Sequence, residues 1–181
     1  MGKSLITVLG STTCIVVVRF SPDGKQLATG DRNGGIHVWE SESGGIVYTL
    51  DEHKLKVTAL SWRPDGNLLA SAAEDGKLVL WDMNDGWATR SITAHAQKAP
   101  GRYSRRTGTL DVAFATDGRL VTVGRDRTAR LWKPDGTRTS TLGTIDILPL
   151  QAKFSADQQR VVVGTFDGQL KTYPVPESSG P

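Results

Sequence analysis

The sequence predicts an all-β protein, and three observations lead to that class. The 181 residues include 20 glycines and five tryptophans, with many valines, leucines and threonines between the glycines. Almost no run of roughly ten residues carries apolar groups at helical spacing. A pattern of about forty residues recurs along the chain, and a period of that length is typical of repeat architectures built from short strands and turns.

Size and composition are those of an ordinary soluble globular chain, with 38% apolar and 23% charged residues. No stretch is apolar for long enough to cross a bilayer, and the start lacks the apolar core of a signal peptide. Cys14 is the single cysteine and has no partner for an internal disulfide. It begins a predicted strand rich in valine, so we expect it to be packed and not reactive. We therefore expect a cytoplasmic protein that makes no contact with the membrane.

Each repeat contains two aromatic markers separated by a turn. The first marker is an aromatic followed by a four-residue turn, at Phe20 to Gly24, Trp62 to Gly66, Phe114 to Gly118, and Phe154 to Gln158. A second aromatic lies 16 residues after the aspartate of that turn, or 15 in the third repeat, at Trp39, Trp81, Trp132 and Tyr173. The constant spacing indicates four structurally equivalent units.

One unit reads as four strands joined by tight turns. In the second unit the predicted strands are residues 57–62, 67–72, 77–82 and 87–92. The Asp-Gly pairs between them supply the positive φ that tight hairpins require. A lone four-stranded meander leaves a face uncovered, so successive units are expected to stack on one another.

These residues resemble the WD-repeat family over essentially the whole chain. The signatures are LASAAEDGKLVLWD at residues 69–82, LATGDRNGGIHVWE at 27–40 and VTVGRDRTARLWK at 121–133. The resemblance implies a β-propeller whose blades are the repeats. We expect one domain over residues 1–181, with blades near 11–50, 53–92, 95–142 and 149–173 and an additional N-terminal strand at 4–9.

The resemblance also implies a structural role for the polar residues. In the family a histidine, a serine or threonine, a turn aspartate and a tryptophan form a hydrogen-bonded chain within a blade. Two repeats fill all four places, with His53, Ser71, Asp75 and Trp81 in one and His95, Thr122, Asp126 and Trp132 in the next. The first and last repeats lack the histidine.

The N-terminal strand and the last repeat are complementary. Residues 4–9 read as an outer strand without the rest of its blade, whereas the last repeat has three predicted strands and no fourth. Propellers of this family generally resemble rings of six to eight blades, and two copies of four repeats supply eight. We expect a homodimer closed by strand exchange; the alternatives are a four-bladed ring within one chain and completion by a different chain.

One connection, residues 96–108, departs from the period. It is rich in basic residues and contains no acid, and we expect it to share a face with two arginines of a neighbouring turn. The candidate binding residues are Lys98, Arg102, Tyr103, Arg105, Arg106, Arg125 and Arg127. Such a group suits an acidic peptide, a phosphate or a nucleic-acid backbone, while the alternative is a solvated loop without a partner. Nucleic acid is disfavoured, because the chain without this segment loses four positive charges from +3 and is left at −1.

The sequence favours a non-catalytic interaction scaffold over an enzyme. It contains no nucleophile motif, metal-ligand spacing or phosphate-cradling glycine loop, so no cofactor is expected. The competing interpretation is a purely structural half-propeller, natural, excised or engineered, that binds only itself.

Overall fold

The computed structural model describes residues 13–95 and 108–176, which form fifteen strands in four antiparallel sheets. None of the residues in these two ranges is helical. The first sheet contains β1 (Ile15–Phe20), β2 (Gln26–Asp31), β3 (Ile36–Glu40) and β4 (Ile46–Leu50). The second contains β5 (Val57–Trp62), β6 (Leu68–Ala73), β7 (Lys77–Asp82) and β8 (Ala88–Thr93).

The third sheet contains β9 (Thr109–Phe114), β10 (Leu120–Gly124), β11 (Thr128–Trp132) and β12 (Arg138–Thr144). The last described sheet has three strands, β13 (Pro149–Phe154), β14 (Arg160–Thr165) and β15 (Leu170–Pro174). Within every sheet, strands adjacent in sequence are adjacent in space. Each sheet is therefore a simple meander, and the sequence prediction of an all-β chain of repeated blades is confirmed.

Short turns at the first aromatic marker set the register of each meander. In the first sheet the Asp23 carboxylate accepts the backbone N–H of Lys25 and the hydroxyl of Ser21, and Gly24 has φ +74°. Asp65 and Asp117 accept the backbone N–H two residues later in the same way. These local bonds fix the turn, and the strands that follow place alternate side chains on opposite faces.

The sheets pack face to face in chain order, and the apolar core lies between them. We call the first strand of each sheet its inner strand. The inner strands contact one another in order: β1 packs on β5, β5 on β9, and β9 on β13. Between the first two sheets Val17 and Val38 meet Trp62 and Trp81, all of them buried. Because each sheet buries both faces only by having two neighbours, the stack is stable only as a series.

Several details differ from the sequence predictions. Strands β6 and β8 begin at Leu68 and Ala88, each one residue later than expected. Cys14, which we expected to be packed within a strand, is exposed and precedes β1, so the packing prediction is wrong. The predicted N-terminal strand, residues 4–9, lies outside the described residues.

Candidate functional site

A chain of hydrogen bonds crosses the second sheet and ends on the segment that leads into it. The Trp81 indole N–H donates to Ser71 Oγ at 2.8 Å, and Ser71 Oγ lies 2.7 Å from Nε2 of His53. On the other side of the ring, Nδ1 of His53 lies 3.0 Å from the Asp75 carboxylate. Asp75 also accepts the backbone N–H groups of Lys54 and Lys77, which ties the β6–β7 turn to the preceding connection.

The third sheet repeats this arrangement with threonine in place of serine. The Trp132 indole donates to Thr122 Oγ1 at 2.9 Å, and Thr122 Oγ1 lies 2.8 Å from Nε2 of His95. Nδ1 of His95 lies 2.9 Å from the Asp126 carboxylate, which also binds the Arg130 guanidinium at 2.7 Å. The eight residues assigned to these chains are thus brought together in two groups of four.

The Asp75–His53–Ser71 arrangement has the connectivity of a hydrolytic triad but not its accessibility. Ser71 is fully buried. Its oxygen accepts the indole proton of Trp81 and lies 2.7 Å from His53 Nε2, so the hydroxyl is held between two partners inside the blade. A nucleophile must reach a carbonyl carbon and have an oxyanion site beside it. These groups therefore stabilise the blade and do not form a catalytic centre.

The electrostatics of the third-sheet chain favour a neutral histidine. Burial lowers the pKa of His95 below its usual range, and the neighbouring Asp126 offsets this only in part. Burial raises the pKa of Asp126, but hydrogen bonds from His95 and Thr128 outweigh it and leave that pKa lowered. In the neutral ring Nδ1 donates to Asp126 and Nε2 accepts the Thr122 hydroxyl proton, so both ring nitrogens of the histidine have a hydrogen-bond partner.

The lowered pKa of His95 makes stability depend on pH. As pH falls below about 6.5, the unfolded chain binds a proton at this histidine while the folded chain does not, so the free energy of unfolding decreases. We expect wild type to lose more stability than His95→Gln between pH 7 and pH 5 in urea titrations. Burial raises the pKa of Asp111, so this residue adds to the free energy of unfolding as pH falls. Both proteins contain Asp111, and its contribution cancels when their losses of stability are compared. Equal losses would contradict the assignment.

The first and last sheets have only parts of this chain. Trp39 donates to Thr29 Oγ1 at 2.9 Å, and the Asp31 carboxylate accepts the backbone N–H groups of Asn33 and Gly35. In the last sheet the Thr165 hydroxyl donates to Asp167. Sequence comparison of the repeats identified the missing histidines but not the aspartate at position 31.

The basic surface is only partly described. Lys98, Arg102, Tyr103, Arg105 and Arg106 lie outside the described residues. Arg125 has its guanidinium 3.7 Å from the Glu74 carboxylate, and its backbone N–H donates to the Gly108 carbonyl. Arg127 has φ +60° and donates to the Asp146 carbonyl. The guanidinium of each arginine thus has a partner of its own, and sequence reasoning gave no signal of Glu74 or Asp146 beside them.

The two ends of the stack have exposed faces, which the sequence analysis did not identify. We call the side of the first sheet that carries Val18 and Phe20 the first end face; both residues are exposed. We call the side of the last sheet turned away from the third sheet the last end face. The strand register places on it Gln151, Lys153, Val162, Leu170 and Thr172.

Residues 13–95 and 108–176 contain no group of three or more histidine, cysteine or acidic side chains arranged to hold a metal ion. In the same ranges no helix is long and apolar enough to cross a membrane. Clefts in this part of the chain lie beside the turns at the first aromatic markers and along the outer strands.

A sequence model of the WD domain, G-beta repeat, matches residues 2–40, 44–82 and 103–133, which together exceed half of the chain. The chain belongs to the WD-repeat family. WD repeats generally mediate protein–protein interaction and are generally non-catalytic.

Two curated relatives match short segments of this WD-repeat chain. A periodic tryptophan protein 2 homolog from Caenorhabditis elegans is 42% identical over 48 residues, and one from Dictyostelium discoideum is 40% identical over 45. The matches cover 26% and 25% of this chain and 5% of each relative.

Among solved structures, the computationally designed Ika4 protein aligns with a TM-score of 0.80 at 23% identity, covering 97% of this chain and 100% of Ika4. At that identity the likeness establishes the fold alone.

Proposed function

We propose that this WD-repeat chain is a non-catalytic interaction scaffold that assembles with a second copy of itself into an eight-bladed ring. The observation that carries the proposal is the exposure of end-face residues whose counterparts in the other sheets are buried. In a repeat protein, equivalent positions have equivalent environments except where a neighbour is missing.

The inner strands provide the first comparison, because β1, β5, β9 and β13 all end on an aromatic residue. Val18, two residues before that aromatic, is 44% exposed. The residues at the same position in the other three inner strands are at most 2% exposed: Leu60, Val112 and Ala152. Phe20 itself is 62% exposed, whereas Trp62 is 8% exposed. Trp39 and Thr29 lie on the same side but are buried, so of these residues only those of the inner strand are exposed. Within the described residues that strand therefore presents an inter-blade surface with no sheet against it.

The last sheet provides the second comparison. Leu170 lies three residues after the turn aspartate and is 75% exposed. Its counterparts in the other three sheets are fully buried: Ile36, Leu78 and Ala129. Exposed apolar surface of this kind on a rigid scaffold is typical of a binding face. As far as residues 13–95 and 108–176 show, both ends of the stack thus lack a neighbouring sheet, and each has the residue types that an adjacent sheet covers elsewhere.

A second copy satisfies both ends at once. Closing four blades on themselves demands about 90° between neighbouring blades, whereas WD-repeat propellers generally have six to eight blades, and two copies supply eight. Two copies related by a two-fold axis use each end face once and leave no unpaired face. No strand of the described residues pairs with the outer edge of β15, where the other sheets carry a fourth strand, so this edge provides a place for residues 4–9 of an exchanged N-terminal strand.

Removing residues 1–9 tests the strand exchange. We expect the shortened chain to aggregate or to lose cooperative thermal unfolding, because the edge of β15 is left without a partner. Thermal unfolding followed by circular dichroism, together with light scattering, measures both effects. A control lacking only residues 177–181 is expected to behave as the full chain does. Unchanged melting and solubility after removal of residues 1–9 would contradict strand exchange.

A further inference from the structure

We infer that the two copies join head to tail, with the first end face of each copy against the last end face of the other, in the register of the three internal interfaces. This inference rests on the proposed two-copy ring and specifies which surfaces meet. The competing arrangement places the first end face of one copy on the same face of the other, which buries the same apolar residues of β1.

The internal interfaces all have the same polarity. In each, the later sheet turns its tryptophan or tyrosine side toward the earlier sheet. Thus Trp81 packs in the core between the first and second sheets, and Trp132 packs in the core between the second and third. Tyr173 packs in the core between the third and last sheets. The first end face is the tryptophan side of the first sheet, the side that in the other sheets packs on the preceding sheet. The surface that fits it is therefore the opposite side of another sheet, and the last end face is such a surface.

Two hydrogen bonds fix how the rows of side chains align across an interface. Between the second and third sheets, the backbone N–H of Phe114 donates to Ser61 Oγ at 3.1 Å. Between the third and last sheets, the backbone N–H of Ala152 donates to the Asp111 carboxylate at 2.9 Å. Ser61 lies one residue before the aromatic that ends its strand, whereas Phe114 is itself that aromatic. Asp111 lies three residues before its aromatic and Ala152 two residues before. In both hydrogen bonds the acceptor is therefore one position farther from the terminal aromatic than the donor.

The same alignment assigns the contacts of the closing interface. Val18 occupies the position of Ala152, two residues before the aromatic, and Gln151 occupies the position of Asp111, three residues before it. The side-chain carbonyl of Gln151 is then the acceptor for the backbone N–H of Val18 in the other copy. Phe20 lies over the row that contains Lys153, Val162 and Thr172.

The basic residue in that row is compatible with a packed interface. The position of Lys153 is held by Arg19 in the first sheet, one residue before the terminal aromatic. The interface between the first and second sheets is formed in the structure. In it Arg19 is exposed, and its backbone carbonyl accepts the Trp62 indole N–H at 3.2 Å. A long cationic side chain at this position reaches solvent while the backbone beside it packs against the next sheet.

Cross-linking distinguishes the two arrangements. Two single-cysteine proteins are made in a Cys14→Ser background, one with Val18→Cys and the other with Gln151→Cys and a mass tag. They are mixed under mild denaturation, refolded, and treated with an oxidant or a short bismaleimide. We expect a covalent link between positions 18 and 151 of different copies, identified by mass spectrometry of the digested product. A pair with Thr89→Cys, on the outer strand β8, in place of Gln151→Cys is expected to give no link to position 18.

The possible outcomes separate this inference from the proposal beneath it. Links between two copies of position 18, in a protein of two-chain mass, overturn the head-to-tail arrangement and leave the dimer intact. A two-chain mass without the link between 18 and 151 also overturns it. A mass of one chain for the Cys14→Ser protein overturns the two-copy ring itself.

Discussion

Phe20→Glu is expected to convert the protein from two chains to one. Phe20 is 62% exposed within one chain, so the change has little effect on the folding of that chain. In the ring, however, the carboxylate has to be buried against the last end face without a partner for its charge. Central aromatics at interfaces contribute 2 kcal/mol or more, so we expect the dissociation constant to rise by at least about 30-fold.

Light scattering after size exclusion measures this effect directly. Trp87→Glu is the matched control, because Trp87 is 75% exposed but lies at the outer rim beside the groove between the first two sheets. We expect Trp87→Glu to keep the mass of the unmodified protein. A Phe20→Glu protein that retains a two-chain mass at micromolar concentration would show that the first end face does not form the interface.

Trp81→Ala is expected to cause the largest loss of stability within one chain. The Trp81 side chain is buried between the first two sheets and donates the indole proton to Ser71. Removing it leaves a cavity and removes the donor to Ser71 Oγ. Large-to-small changes of this kind cost about 3–5 kcal/mol, a large share of the roughly 5–15 kcal/mol that stabilises a typical domain.

Urea unfolding monitored by circular dichroism measures the loss. Because the cavity lies between two sheets, we also expect the first sheet to detach before the others, which broadens the transition and lowers the apparent m-value. Trp87→Ala removes a tryptophan that is 75% exposed and directly precedes the outer strand β8, and it is expected to cost less than about 0.5 kcal/mol. A loss below about 1 kcal/mol for Trp81→Ala would contradict the structural role assigned to the hydrogen-bonded chain.

The parts of the fold that depend on local chemistry could be predicted from the sequence. Turn aspartates such as Asp23 and Asp65 bond to the backbone two residues later, and that interaction needs no distant partner. The spacing from each turn to the following tryptophan then fixes the register of the next hairpin. The groups around His53 and His95 were predicted from the resemblance to the WD-repeat family, which assigns a role to each position of the repeat.

The features that depend on contacts between sheets could not be predicted in this way. The spacing of the repeats makes Val18 and Leu60 equivalent, yet one is exposed and the other buried, because only the second has a neighbouring sheet. Cys14 was expected to be packed because valines follow it, but it lies ahead of β1 at the end of the stack. The contact between Arg125 and Glu74 joins adjacent sheets and has no counterpart in the sequence pattern of either.

The mass of the unmodified chain in solution tests the two-copy ring most directly. Multi-angle light scattering over a dilution series reports absolute mass and is independent of shape. We expect twice the 19.5 kDa of one chain, persisting on dilution until the two end faces separate. A mass of one chain at every concentration, with the sheets folded by circular dichroism, would contradict the account.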